Sequence, residues 1–292
     1  MYSSLFLGYR ILRKKATRIK TIWSREHLIS SLFSSESEGI IVGRKESCKE
    51  KGPVSWFYQG TVLASAGRYN ESIGCFGKVL EISPGHTGAL VAMAQSMVRL
   101  GRFRDALECS RKATQTDSGS ADAWFMQGSC HYYLAHYRDA LECLEQARAL
   151  HPSHAEAYFL SGNCYYQEEE YEEALAAYQR TLDLDPVYPK AWYNRGVTLA
   201  DLDRCEEALD SYRTCMTLNP GVAVVLTNTG VCLAKLGRHD EALHFFDLAL
   251  EEDRRDISAW NNKGMVLSRL GRDTEAMECF SRARALNREE IR

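Results

Sequence analysis

Residues 155–188 read AEAYFLSGNCYYQEEEYEEALAAYQRTLDLDPVY, and residues 189–222, directly after them, read PKAWYNRGVTLADLDRCEEALDSYRTCMTLNPGV. Laid one on the other, the two stretches share glycine (Gly162, Gly196), alanine (Ala174, Ala208), tyrosine (Tyr178, Tyr212) and proline (Pro186, Pro220) at the same places. The register extends in both directions without an insertion. Gly60, Gly128, Gly162, Gly196, Gly230 and Gly264 fall on one 34-residue comb that only Ala94 interrupts. Twelve residues after each comes a small residue: Ser72, Ala106, Ala140, Ala174, Ala208, Ala242 and Ala276. A fixed period of this length marks stacked supersecondary units, each unable to bury its apolar face alone.

Within a unit the apolar spacing is helical. Trp192, Gly196 and Leu199 stand at i, i+4 and i+7, and Ala208, Tyr212 and Cys215 repeat that spacing farther on. Gly67, Gly101, Gly237 and Gly271 mark a turn between the two helices, where a left-handed residue can end the first. Acidic residues open the second helix at its positive dipole end, as Glu71, Asp139 and Glu207 do. Pro84, Pro152, Pro186 and Pro220 close four units. Gly and the small residue twelve later are expected to let two antiparallel helices approach closely, with bulky rings filling the space above and below.

These residues carry a resemblance. The series Trp192, Arg195-Gly196, Leu199, Ala208, Tyr212, Pro220 resembles the tetratricopeptide repeat signature, in seven contiguous units: 53–86, 87–120, 121–154, 155–188, 189–222, 223–256 and 257–290. The resemblance implies an all-α fold, a right-handed superhelical solenoid of antiparallel helix pairs whose first helices line a concave groove. It also implies protein or peptide binding without intrinsic chemistry. The second unit departs most, with Leu90, Ala94, Ser110 and Ser118 at signature places, and is expected to be the most mobile joint. In the last unit Arg284 and Arg288 replace Leu and Pro, and no separate capping helix is expected after it.

Asn194, Asn228 and Asn262 hold the sixth place of consecutive units, and the resemblance puts them on the groove. An amide both donates and accepts, so such a row can grip the backbone of an extended peptide of any sequence. It is similar to the asparagine row in the repeats of O-linked N-acetylglucosamine transferases. Asn163 lies one unit earlier, and Lys190, Lys235 and Arg269, opposed by Asp201, are candidates to favour an acidic or phosphorylated segment. Phe125, Phe159 and Tyr193, with Phe57, are the expected apolar part of the groove. A clamp for chaperone C-termini is not expected, because Phe159 stands where it needs Lys.

Other chemistry is not expected. Four of the ten cysteines, Cys75, Cys109, Cys143 and Cys279, share one repeat position, and Cys130, Cys164 and Cys232 share another, so they read as small apolar residues and reduced thiols. There is no C-x-x-C pair, and the repeat geometry is expected to keep His131 apart from His136, His151 and His154, so no metal or other cofactor is expected. No catalytic constellation stands out. Residues 1–52 hold eleven Lys/Arg against five Asp/Glu, +6 of a whole-chain −3, which leaves −9 for the repeats; an acidic body is a poor nucleic-acid binder.

Residues 1–33 form a basic amphipathic segment with Leu5, Tyr9, Leu12, Ile19 and Trp23 at helical spacing, and residues 34–52 read as a linker. A weak membrane-surface contact through residues 1–25, a transit peptide, a cap on the first repeat and a mis-assigned start all fit that segment. No secretory signal or membrane-spanning run is found, and a cytoplasmic location is expected. The leading functional expectation is a non-enzymatic adaptor binding an extended segment of a protein partner. The alternatives are a homo-oligomeric assembly protein joined through its repeat ends and a detached targeting module of a glycosyltransferase-like enzyme.

Overall fold

Helices of 13 and 14 residues, joined alternately by turns of three and four residues, account for the 34-residue period. A computed structural model describes residues 52–290, and among them all regular structure is α-helical. The chain divides into two compact units after Thr116. The first contains α1 (Pro53–Ser65), α2 (Tyr69–Ile82), α3 (Thr87–Arg99) and α4 (Phe103–Thr116). The second contains α5 (Ala121–Tyr133), α6 (Tyr137–Leu150), α7 (Ala155–Gln167), α8 (Tyr171–Leu184), α9 (Pro189–Asp201), α10 (Cys205–Leu218), α11 (Ala223–Lys235), α12 (His239–Glu252), α13 (Ile257–Arg269) and α14 (Asp273–Glu290). Consecutive helices form antiparallel pairs, and within each unit the pairs stack in sequence. The last helix runs to 18 residues, since Arg288 stands where a proline ends other units. The basic segment and most of the linker lie outside the described residues, and no described helix is long and apolar enough to cross a membrane.

The turn inside every repeat has one geometry. Its last backbone N–H returns to the first helix, as in Arg68 N–H to the Leu63 carbonyl (2.8 Å) and Arg204 N–H to the Leu199 carbonyl (2.9 Å), which satisfies a carbonyl the helix end leaves open. The residue before it is left-handed. Gly237 takes φ 76° without strain, but in the third, fourth and fifth repeats Ala135, Glu169 and Asp203 take φ 61°, 64° and 58°. Those three turns had no glycine to reveal them. At the other end of the pairs, Trp124, Trp192 and Trp260 each donate the indole N–H to the carbonyl six residues earlier, anchoring the four-residue turns.

The helix spacing within a pair has a sharper cause than the sequence implied. A methyl added at Gly196 would stand 2.5 Å from a ring carbon of Tyr212, sixteen residues on. The same approach recurs at 2.6 Å for Gly60 on Phe76, Gly162 on Tyr178 and Gly230 on Phe246, and at 2.7 Å for Gly264 on Phe280. The glycine answers chiefly to this ring. The small residue twelve positions on is fully buried in Ala140, Ala174 and Ala208, yet only at Gly128 is its backbone among the nearest atoms, with the Ala140 carbonyl oxygen 3.2 Å away. The second repeat obeys the same rule in reverse. It has Ser110 where the ring belongs, so Ala94 carries its methyl and both are sealed from solvent.

The cysteines pack as small apolar residues. Cys130, Cys164, Cys215 and Cys232 are completely buried thiols. Burial pushes the Cys215 thiol up to about 11 and those of Cys164 and Cys232 higher still, so all three stay protonated at neutral pH.

Gly196→Ala is therefore expected to destabilise the fold by about 1–3 kcal/mol, the usual cost of overpacking a tight interior. Gly74→Ala, in the same helical context but with open space at its Cβ, should stabilise by about 0.5–1 kcal/mol. Urea unfolding of the two variants checks the opposite signs.

Candidate functional site

Pairing alone leaves each repeat with two outer surfaces, and the stacking distinguishes them. In the second unit the first helices of successive repeats also touch one another, α5 with α7, α7 with α9, α9 with α11 and α11 with α13. The second helices make no comparable contacts with each other, so the first helices lie on the inner, more crowded side. The row of asparagines sits on these inner helices.

Asn194, Asn228 and Asn262 are half-buried, each one turn or so into its helix. Asn194 donates its Nδ2–H to the Asn163 Oδ1 of the preceding repeat at 2.7 Å, and Asn228 donates to the Tyr193 hydroxyl at 3.2 Å. The Tyr178 hydroxyl also donates to Asn163 Oδ1, at 2.8 Å. Tyr178 is the ring that Gly162 accommodates, so one side chain sets the helix spacing and holds Asn163. Burial, the largest cause in both, holds the Tyr178 and Tyr193 phenols well above the ordinary tyrosine range, and they act as neutral hydroxyls. Among the described residues the amide oxygens of Asn194 and Asn228 and the whole Asn262 amide have no protein partner, and none is sealed from solvent. These groups remain able to bond a ligand.

Three expectations need correction. Phe125, Phe159 and Tyr193 retain only 5%, 1% and 3% of their surface and are not open apolar contacts. The residue that precedes the next repeat covers two of them: His154 lies 4.6 Å from Phe125 and Tyr188 lies 5.0 Å from Phe159, centroid to centroid, and Tyr193 packs on Tyr212. Asn163 is likewise buried, so it supports the row and does not extend it. Lys235 is also committed. Its ammonium binds Asp203, in the turn after α9, at 2.7 Å and the Ala200 carbonyl, in the last turn of α9, at 3.1 Å. Asp201 accepts the Tyr166 hydroxyl at 2.6 Å. Lys190 is half-buried and its charge acts on Glu156, whose carboxyl burial nonetheless raises above the usual range. Arg269 is exposed. Of the three cations, Lys235 is thus already paired with a carboxylate.

The fourth correction concerns the histidines. His131, at the end of α5, and His136 and Asp139, at the start of α6, bring one ligand atom each to within 4.8 Å of one another. The turn between the helices folds the two histidines together, with ring centroids 5.8 Å apart. His154 instead caps α7, accepting the Ala157 N–H on Nδ1 at 3.3 Å.

Comparison with known proteins agrees with this architecture. Tetratricopeptide repeat profiles match residues 131–189, 162–229 and 257–290. The profile of subunit 3 of the anaphase-promoting complex, or cyclosome, matches residues 65–147, and that of the protein prenyltransferase alpha subunit repeat matches residues 239–270. Among solved structures, YrrB, described as a tetratricopeptide repeat protein with an unusual peptide-binding site, is 23% identical over 63% of this chain and 95% of its own, with a TM-score of 0.55. The Cut9-Hcn1 hetero-tetramer of the anaphase-promoting complex gives 19% identity and a TM-score of 0.64 over 74% of this chain and 43% of the matched one. A tetratricopeptide repeat protein of Parabacteroides merdae gives 14% identity and 0.60, over 80% and 93%. A search of curated protein sequences gives no match. Identities this low establish the fold alone.

The fold is thus that of repeat scaffolds that are generally non-enzymatic and bind other proteins. The chain is a tetratricopeptide repeat protein, with seven contiguous 34-residue repeats.

The Tyr178–Asn163–Asn194 bonds give a measurable consequence. Tyr178→Phe is expected to cost about 1 kcal/mol, while Asn163→Ala, which strands a buried hydroxyl, should cost about 2–3 kcal/mol. Shifts in denaturant midpoint at constant m-value would check both.

Proposed function

We propose that the protein is an adaptor that holds an extended peptide segment of a partner along the inner helices of residues 189–269, with Asn194, Asn228 and Asn262 gripping the peptide backbone. The observation that carries this reading is the uncommitted hydrogen-bonding capacity of the three amides. They recur once per repeat on consecutive inner helices, and the amide oxygens of Asn194 and Asn228 and the whole Asn262 amide are unbonded yet solvent-accessible. An extended chain offers backbone N–H and C=O groups at short regular intervals, which such amides can bond whatever the side chains are. Neighbouring bonds to Asn163 and Tyr193 hold two of the amides in place beforehand, which lowers the ordering cost of binding. Selectivity for acidic segments is not part of this reading, because Lys235 is paired with Asp203. The peptide site described for YrrB supports it only as a likeness of fold.

A second reading rests on a different observation. Met265, Leu270 and Met277 of the last repeat are 42%, 40% and 71% exposed, which favours association of copies through that end.

Panning a random-peptide display library on the full chain tests the first reading. Enriched peptides should bind the Asn194/Asn228/Asn262→Ala variant about 100-fold more weakly, at about 1 kcal/mol for each of the three lost bonds. Equal binding to both proteins would overturn the asparagine grip. Concentration-dependent mass without peptide enrichment would favour the second reading.

A further inference from the structure

The seven repeats act as controls for one another, and the third breaks the pattern twice at one point. Its acidic residue, Asp139, stands where the others have Glu71, Asp105, Glu173, Glu207, Glu241 and Glu275. In five repeats that acid takes an arginine three residues earlier: Arg68, Arg102, Arg204, Arg238 and Arg272 each pair with it at 2.6–2.7 Å. The third repeat has His136 in the arginine place. At the eleventh place, where the others have Leu63, Met97, Tyr165, Leu199, Leu233 and Leu267, it has His131. The other six repeats fold without a histidine at either place, and both substitutions here converge on the same carboxylate. His131 Nδ1 lies 3.6 Å and His136 Nδ1 3.9 Å from Asp139 Oδ2.

We propose that His131, His136 and Asp139 form a zinc site that clasps α5 to α6 across the turn of the third repeat. Two imidazole nitrogens and one carboxylate oxygen are a donor set for a borderline divalent ion, whereas calcium and magnesium take oxygen ligands. Ligand atoms 2.0–2.1 Å from a tetrahedral zinc stand roughly 3.3 Å apart, closer than the 3.6 and 3.9 Å from the histidines to Asp139 and than the 4.8 Å that bounds the three ligand atoms. Rotation of the exposed His136 and Asp139 side chains closes the difference, and burial fixes the His131 ring as the template. Three protein ligands leave a fourth position for water or for a group of a bound partner.

The test is calorimetric titration of Zn²⁺ into the full chain, chelator-stripped and kept reduced, alongside His131→Leu/His136→Arg. Both replacements are residues that other repeats carry at those places, so the variant keeps the fold, and circular dichroism confirms it. Asp139→Asn serves as a second variant. The wild type should bind one zinc and melt at a higher temperature in its presence. Both variants should bind at least about tenfold more weakly and lose the thermal shift. Zinc binding of equal affinity and stoichiometry in the variants, or no binding by the wild type at millimolar zinc, would overturn the assignment.

Discussion

Where Gly196 passes the ring of Tyr212, the two helices of a repeat come so close that one methyl group would collide, and five of the other six repeats make an equivalent approach. This contact between a residue without a side chain and a large one sets the separation of the pair. The separation in turn determines how far each first helix reaches toward its neighbour, and so where the inner face of the stack lies. The same ring does a second thing in the fourth repeat, since the Tyr178 hydroxyl holds Asn163, which holds Asn194. Core packing and the placement of the candidate binding residues are therefore one problem.

Much of the fold was legible because a 34-residue period repeats its evidence seven times. Helix pairs, turn positions and the buried role of the cysteines all followed from places where several units agree. Part of what escaped was local to single units. Ala135, Glu169 and Asp203 adopt the left-handed turn that glycine marks elsewhere, and only the register could have placed them. The partner of the glycine was also misjudged in five repeats: the small residue twelve later is buried, but the ring sixteen later makes the contact.

The candidate site was legible in position and not in exposure. Asn194, Asn228 and Asn262 lie on inner helices as their shared repeat place implied. Phe125 and Phe159 do too, but His154 and Tyr188 cover them, because the residue leading into each repeat folds back over the one before. Spacing within one unit carries no information about that overlap between units. The pairing of Lys235 with Asp203 escaped for the same reason, since 32 residues separate them. The meeting of His131 and His136 had a signal: both depart from what sibling repeats carry at those places, around an acid that every repeat retains. In a repeat protein, departures that converge in space say more about individual chemistry than the residues that obey the pattern.

The second repeat offers the most direct test of the central contact, because it alone has exchanged both partners, Ala94 for glycine and Ser110 for the ring. A double-mutant cycle of Ala94→Gly and Ser110→Phe, read by urea unfolding, measures their coupling. Ser110→Phe should destabilise the wild type by at least about 1 kcal/mol more than it destabilises the Ala94→Gly background. Additivity to within about 0.5 kcal/mol would contradict the view that glycine and ring together set the spacing of the helices.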